Sequence, residues 1–232
     1  MGSVTISREY GSDGRSVAKK SAALLGYLCM NKDLLVEVAR EAQVPVSEVE
    51  RYDERPEHPA LRVLRKFLTP GHPDALTGLS EYEWWATASM PELTNQQQSG
   101  LPILDEESFV QSTREVMLRL VDRGRVVLVG RGSQALLAQR SDVLHVRIIA
   151  PMKLRVEWVM ERDELDRPGA EKRIRKYDER RRRYVKRHYG VDWSKPEHYH
   201  LTLNTGNTGV DAAARTIVEA TKHLALGQAP PI

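Results

Sequence analysis

The chain has 232 residues, 41% of them apolar and 29% charged, with a net charge of +3 at neutral pH. This is the balance of an ordinary globular α/β domain with room for a helical insert. The single Cys29 excludes an intramolecular disulfide framework, and no apolar run reaches the roughly 18 residues that a membrane helix needs. With no basic stretch leading into an apolar one at the N-terminus, a cytoplasmic location is expected, and Cys29 reads as a small buried apolar residue.

Val4 to Ile6 is a short β-branched run that predicts a strand. It meets a Gly/Ser/Asp turn and then a helix from about Ser16 to Leu25, stopped by Gly26. A second helix is predicted over Leu34 to Ala42, capped by Asn31 or Asp33, and a third over Ala60 to Leu68. From Thr69 to Gly100 the pattern breaks down into Pro, Gly and Gln-rich stretches, as in a lid-like loop or insert. Helical spacing returns over Asp105–Asp122. Arg125-Val-Val-Leu-Val-Gly is a near-continuous apolar strand ending in glycine, the mark of a parallel strand buried on both faces. Ser133 to Gln139 reads as helix, and Val143 to Ile149 as another central strand stopped by Ala150-Pro151. A long charged helical region follows to about Tyr189, then a short strand over Leu201 to Asn204 and an amphipathic helix over Val210 to Ala225. Strands alternating with helices imply a doubly wound parallel sheet.

Charge is unevenly spread. Residues 171–190 hold ten Lys/Arg and three Asp/Glu, a local charge of +7 against −4 for the rest of the chain. A basic block on a near-neutral body points to a particular polyanion rather than a general nucleic-acid surface. Its apolar stripe (Ile174, Tyr177, Tyr184, Val185) is thin, so most of its arginines are exposed or face a ligand. Nucleic acid is disfavoured as a partner because no aromatic stacking module accompanies the block, although a solvated basic helix also explains many of these side chains.

Three sets of residues are suited to phosphate chemistry. Gly11, Ser12, Asp13, Gly14, Arg15 and Ser16 form a strand-loop-helix turn whose N–H groups and helix dipole favour an anion. Against the phosphate-loop pattern G-x-x-x-x-G-K-[ST], Glu9 to Ser16 keeps Gly14 and Ser16, with Glu9 in place of the first Gly and Arg15 in place of Lys. In such loops the cation reaches the outer phosphates of a nucleotide and the hydroxyl holds Mg²⁺, which assigns Arg15 and Ser16. An ordinary strand-turn-helix connection is the alternative. Arg131, in Gly130-Arg-Gly after the apolar strand, lies where open α/β sheets bind ligands and could grip a phosphate bidentately; a surface ion pair is its alternative. Within the basic block, Arg173 and Arg180 are candidates to stabilise charge shared between donor and acceptor. Asp33 could contact a substrate or simply cap its helix, and Tyr82, Trp84 and Trp85 could stack on a base or pack within the insert. The histidines show no metal-ligand spacing.

The order of these motifs resembles the cytidylate-kinase-like family, a branch of the P-loop nucleoside monophosphate kinases. The residues that carry the resemblance are Thr5-Ile-Ser-Arg-Glu-Tyr-Gly-Ser-Asp-Gly-Arg, Val127-Leu-Val-Gly-Arg-Gly, Ile149-Ala-Pro, Tyr189-Gly-Val-Asp-Trp and Leu203-Asn-Thr. The resemblance implies a three-layer fold with a parallel sheet of about five strands flanked by helices. It implies a core of about residues 1–42, 103–160 and 200–225, a substrate-binding helical insert over about 43–102 and an Arg-rich lid over about 161–195. It further implies transfer of the ATP γ-phosphoryl group, with Mg²⁺, to an acceptor phosphate held by Arg131. The acceptor would be a nucleotide or another phosphorylated small molecule. The chain departs from the family in carrying Arg15 for the loop Lys and Gly132 for the Asp that follows the Gly-Arg pair. Two other readings stay open: a small-molecule hydroxyl kinase, with Asp33 or Glu9 as its base, and a nucleotide sensor whose basic helix contacts nucleic acid. No motif encodes the oligomeric state, and a membrane partner is not expected.

Overall fold

The computed structural model describes residues 2–31 and 106–224. The chain divides into two units, Met1–Leu34 with Arg114–Ile232, and Leu35–Thr113. The first unit carries the sheet. Its strands are β1 (Ser3–Arg8), β2 (Leu28–Met30), β3 (Val126–Val129), β4 (Val143–Ile149) and β5 (Leu201–Asn204). The α-helices among the described residues are α1 (Gly14–Leu25), α2 (Glu106–Arg123), α3 (Ser133–Leu136), α4 (Met152–Asp163), α5 (Arg167–Tyr189) and α6 (Thr205–Leu224). All strand pairs are parallel and the sheet order is β2-β3-β1-β4-β5.

The three central strands are buried on both faces, as their Val, Ile and Leu content requires. On one face Val4 and Ile6 join Val127, Val129, Leu144, Val146 and Ile148, and the layer is closed by Val17, Ala18 and Ala22 of α1 and Ala213 and Ile217 of α6. Small residues on α1 and α6 let the helices lie close to the sheet and to each other. The other face carries a buried polar pair, Thr5 of β1 and His145 of β4. Thr5 Oγ1 lies 2.8 Å from His145 Nδ1, and the opposite ring nitrogen of His145 lies 3.2 Å from the Leu137 carbonyl.

Several boundaries differ from the sequence expectations for identifiable reasons. β2 carries no periodic signal because it is a three-residue edge strand whose Leu28 is exposed; Cys29 within it is half-buried rather than buried. The charged helical region after Pro151 is split into two helices, because Glu164 turns left-handed and Asp166 then caps α5 by accepting from the Gly169 N–H at 2.9 Å. α3 is a single turn, shorter than expected. α6 starts at Thr205 but is broken at Gly209 (φ 70°), so the regular helix begins near the expected Val210. Asp33, Tyr82, Trp84, Trp85 and the helices expected over 34–42 and 60–68 lie outside the described residues.

His145 makes the fold sensitive to acid. Its ring stacks on His200 at 5.0 Å, and its own backbone N–H donates to His200 Nδ1 at 2.8 Å. Burial pushes the His145 pKa down to about 4, so between the unfolded value of 6.5 and 4 the unfolded chain binds the proton first. Stability should therefore fall as pH drops through this window and level off below it, by on the order of 3 kcal/mol at most for this group. Urea unfolding at about pH 7, 6 and 5 measures the fall, and His145→Gln should flatten most of it.

Candidate active site

The loop after β1 is shaped by close approach on two sides. Gly11 (φ 78°) faces α4, where a Cβ would sit 2.9 Å from Val159 Cγ2 and 3.2 Å from the Arg155 carbonyl oxygen. Gly14 opens α1 so near β1 that a Cβ would lie 2.5 Å from Arg8 Cβ. Between them Ser12 is fully buried, donating from Oγ to the Glu9 carbonyl at 2.9 Å, and Asp13 is left-handed at φ 56°. Asp13 holds the N-cap position without capping; its carboxylate accepts from Ser16 Oγ at 2.8 Å instead. The first-turn N–H groups of α1 are thus not spent on the Asp13 side chain, and a helix start in this condition suits a phosphate. Such a loop can hold an anionic group such as a phosphate, and the exposed Ser16 hydroxyl beside the Asp13 carboxylate offers oxygen donors of the kind hard divalent cations take. Arg15 lies half-buried on the first turn.

The loop backbone is gripped by side chains from three later helices. Asp178 of α5 accepts from the Tyr10 N–H at 2.7 Å and from Arg155 Nη1 at 2.6 Å, with Arg181 at 3.6 Å. Arg181 Nη1 also donates to the Arg8 carbonyl at 3.0 Å, and Arg155 Nη1 to the Tyr10 carbonyl at 3.2 Å. Thr205, at the start of α6, donates from Oγ1 to the Ser12 carbonyl at 2.8 Å. Glu9 accepts from the Ala150 N–H at 3.3 Å and lies 3.6 and 3.5 Å from Arg147 and Arg155. The residue in place of the first phosphate-loop Gly is therefore an anchor in the floor of the loop.

Tyr10 completes the clamp. Its ring stacks on Tyr177 at 4.4 Å and 10°, and its hydroxyl donates to Asp163 at 3.1 Å while accepting from Arg162 at 2.9 Å. Burial drives the Tyr10 hydroxyl well above the ordinary phenol range, so it remains a donor. Burial also works to raise the Asp163 carboxyl, but Arg162 and Arg173 outweigh it and hold this carboxyl below its usual value. Behind Glu9, Arg147 rises from the middle of β4, donates to the Trp193 carbonyl and lies 4.5 Å over the Trp193 ring.

The second loop follows β3, beside β1. Gly130 continues the sheet by donating to the Ile6 carbonyl at 3.0 Å. Gly130, Arg131 and Gly132 are then left-handed in succession, at φ 78°, 60° and 68°. For a buried arginine (6% exposed) this backbone is costly, about 1–2 kcal/mol, and such strain concentrates at working sites. The ring of Tyr189, at the end of α5, fills the space beside Gly132, and its hydroxyl donates to the Arg131 carbonyl at 3.1 Å. An Asp at position 132 could not be accommodated without moving that ring, which explains the glycine.

The β1–α1 loop and Arg131 thus lie at the carboxyl ends of adjacent parallel strands, and Thr205, after β5, reaches the first of them through the Ser12 carbonyl. Of the basic block, Arg173 binds Asp163 at 2.9 Å, Arg180 is half-buried, and Arg181 turns inward to the loop. Arg175, Arg182 and Arg183 face solvent in pairs with Glu171 and Glu179. Tyr10, Arg147, Arg155, Thr205 and Tyr189 join the site although no sequence expectation assigns them to it. Tyr10, Thr205 and Tyr189 fall within the motifs that carry the family resemblance, and Arg147 is a charge inside the apolar run Val143 to Ile149, but none of these signals shows the contact the residue makes. No cluster of three potential metal ligands occurs among the described residues, and no described helix is long and apolar enough to cross a membrane.

A five-stranded parallel sheet in this order, with a strand-loop-helix turn on its central strand, defines an α/β three-layer fold of the P-loop kinase kind. The chain belongs to the cytidylate kinase-like family, whose model matches residues 3–207. The crystal structure of an uncharacterized protein from Eubacterium ventriosum ATCC 27560 has the same fold, with a TM-score of 0.63, 18% identity and coverage of 96% of this chain and 99% of that one. Shikimate kinase from Acinetobacter baumannii, in complex with shikimate, is more distant, with a TM-score of 0.47, 14% identity and coverage of 98% and 96%. Over 148 residues the chain is 26% identical to uronate isomerase of Corynebacterium glutamicum, a match to 63% of this chain that spans 28% of that protein's length.

The clamp should be visible in stability. Asp178→Ala strands two inward-facing arginines and the Tyr10 N–H, and should cost on the order of 3 kcal/mol. Arg175→Ala, on the solvent side of the same helix, should change stability by less than about 0.5 kcal/mol. Urea midpoints of the two variants provide the comparison.

Proposed function

We infer that the protein is an ATP-dependent phosphotransferase of the nucleoside monophosphate kinase type, moving the ATP γ-phosphoryl group onto an acceptor phosphate. The observation that carries this reading is the pairing of two phosphate-suited loops on adjacent strands: the cradle Gly11 to Ser16, and a buried arginine held in left-handed backbone at 131. The cradle would take the ATP polyphosphate, with Arg15 supplying charge toward its outer phosphates. Mg²⁺ held at the Ser16 hydroxyl would neutralise charge on the transferring group. Arg131 would grip the acceptor phosphate, and Asp33 would contact the acceptor.

The reaction asks little covalent chemistry of the protein. The bond from the γ-phosphorus to the ADP oxygen breaks as one forms to an acceptor oxygen. An ionised acceptor phosphate needs no base, and that suits this site. Glu9, a carboxylate beside the loop, is engaged by Arg147, Arg155 and the Ala150 N–H. A hydroxyl acceptor would need a base, and of its two candidates Glu9 is ion-paired to Arg147 and Arg155, while Asp33 lies outside the described residues. Arg180 would add charge from the lid, and Arg173 would do so on leaving Asp163. Positioning and charge stabilisation then account for the rate.

Phosphorus NMR with Mg·ATP and CMP, dCMP, UMP and AMP in turn tests the reading. ADP appearing together with a new nucleoside diphosphate is the expected result. ATP consumed only with an unphosphorylated alcohol would establish the hydroxyl kinase, and ATP bound but never consumed would establish the sensor. Within an active enzyme, Arg131→Ala should lower kcat/KM for the acceptor by about 100-fold while leaving the KM for ATP within about twofold. Arg15→Ala should show the converse, reduced ATP use with an unchanged acceptor KM.

A further inference from the structure

Arg131 is held from outside its own loop. Its carbonyl accepts a hydrogen bond from Tyr189 Oη at 3.1 Å, across 58 positions of sequence. The ring of Tyr189 lies so close to Gly132 that a Cβ there would meet Cε2 at 2.3 Å and Cδ2 at 2.6 Å. The ring is itself fixed: the Arg114 guanidinium of α2 sits 5.0 Å over it, and Arg114 Nη2 donates to the neighbouring His188 carbonyl at 2.5 Å. Tyr184 packs on the same ring, with centroids 6.4 Å apart. α5 then ends at once, with Gly190 left-handed at φ 73° and its N–H on the Lys186 carbonyl at 3.0 Å.

These contacts address a specific physical problem. Left-handed backbone at a non-glycine residue is unfavourable and persists only where surroundings over-determine it. The Tyr189 hydroxyl meets the carbonyl of the strained residue itself, and so ties down the peptide that the strain would otherwise relax. The small Gly132 leaves room for the ring that presents this hydroxyl.

We propose that Tyr189 is a positioning residue for Arg131: it fixes the backbone from which the guanidinium projects, and so sets the affinity for a phosphorylated acceptor without touching that acceptor. The inference rests on the reading of Arg131 as the acceptor-phosphate ligand. It also makes the end of α5 part of acceptor recognition, because movement of that helix would release the Arg131 carbonyl.

The test is a double-mutant cycle on the full chain, read as steady-state KM for the acceptor and for ATP, and as calorimetric binding of the nucleoside monophosphate alone. Tyr189→Phe keeps the ring and removes the hydroxyl; it should raise the acceptor KM and Kd about 5- to 10-fold with the KM for ATP unchanged. Gly132→Ala, which pushes on the same ring, should raise them by at least as much. In an Arg131→Ala background, Tyr189→Phe should have no further effect on the acceptor. Equal effects of Tyr189→Phe in both backgrounds, or none in the native one while Arg131→Ala weakens the acceptor, would overturn the positioning role and leave Arg131 in place. Arg131→Ala without effect on the acceptor would instead overturn the underlying reading. Tyr189→Phe weakening ATP and acceptor alike would show a merely structural ring and overturn the proposal.

Discussion

The Asp178 carboxylate is the joint on which the site depends. One oxygen takes the Tyr10 N–H and the other takes Arg155, while Arg181 on the same helix reaches the Arg8 carbonyl. α5 thereby holds the chain on both sides of Glu9 as it leaves the central strand, and the far end of the same helix holds Arg131 through Tyr189. A single helix therefore touches both the loop after β1 and the loop after β3. In a kinase the distance and angle between two phosphates decide the rate, and under the proposed function this shared brace would fix both.

The electrostatics follow from this arrangement. Five guanidiniums (Arg147, Arg155, Arg162, Arg173 and Arg181) contact three carboxylates (Glu9, Asp163 and Asp178) behind the loop. Arginine suits such a network because its planar fork meets several acceptors at once and carries its charge into partly buried sites. The carboxylates lock the guanidiniums in place, and the excess positive charge biases the loop toward anions. This gives the Glu at the first phosphate-loop position a physical sense: it ties the loop floor to β4 and α4 instead of facing the phosphates. It also separates the arginines of the basic block into two groups by direction. Arg173 and Arg181 turn inward to carboxylates, whereas Arg175, Arg182 and Arg183 form exposed pairs of small energetic weight.

Much of the fold is legible in the sequence because parallel strands buried on both faces leave continuous Val, Ile and Leu runs. β3 and β4 can be placed from such runs, and the order of motifs carries the family. β2 leaves no trace because three residues at a sheet edge show no period, and the break between α4 and α5 is hidden because charge continues across it. The loop Gly11 to Ser16 and Arg131 can be read locally, since glycine spacing and position after a strand are local signals. The clamp cannot. In the sequence Asp178 is one carboxylate among arginines, and its partners Tyr10 and Arg155 lie 168 and 23 positions away. Tyr189 and Trp193 belong to a recognisable motif, but their work on Arg131 and Arg147 exists only in the folded chain.

If the loop after β1 is the nucleotide cradle, its amides must change when nucleotide binds. Hydrogen–deuterium exchange of the full chain, with and without a saturating non-hydrolysable Mg·ATP analogue, reads those amides one segment at a time. Slowed exchange over Gly11 to Ser16 is expected, because these N–H groups would close on the nucleotide phosphates. Nucleotide binding that left this segment unchanged and protected another part of the chain would contradict the assignment.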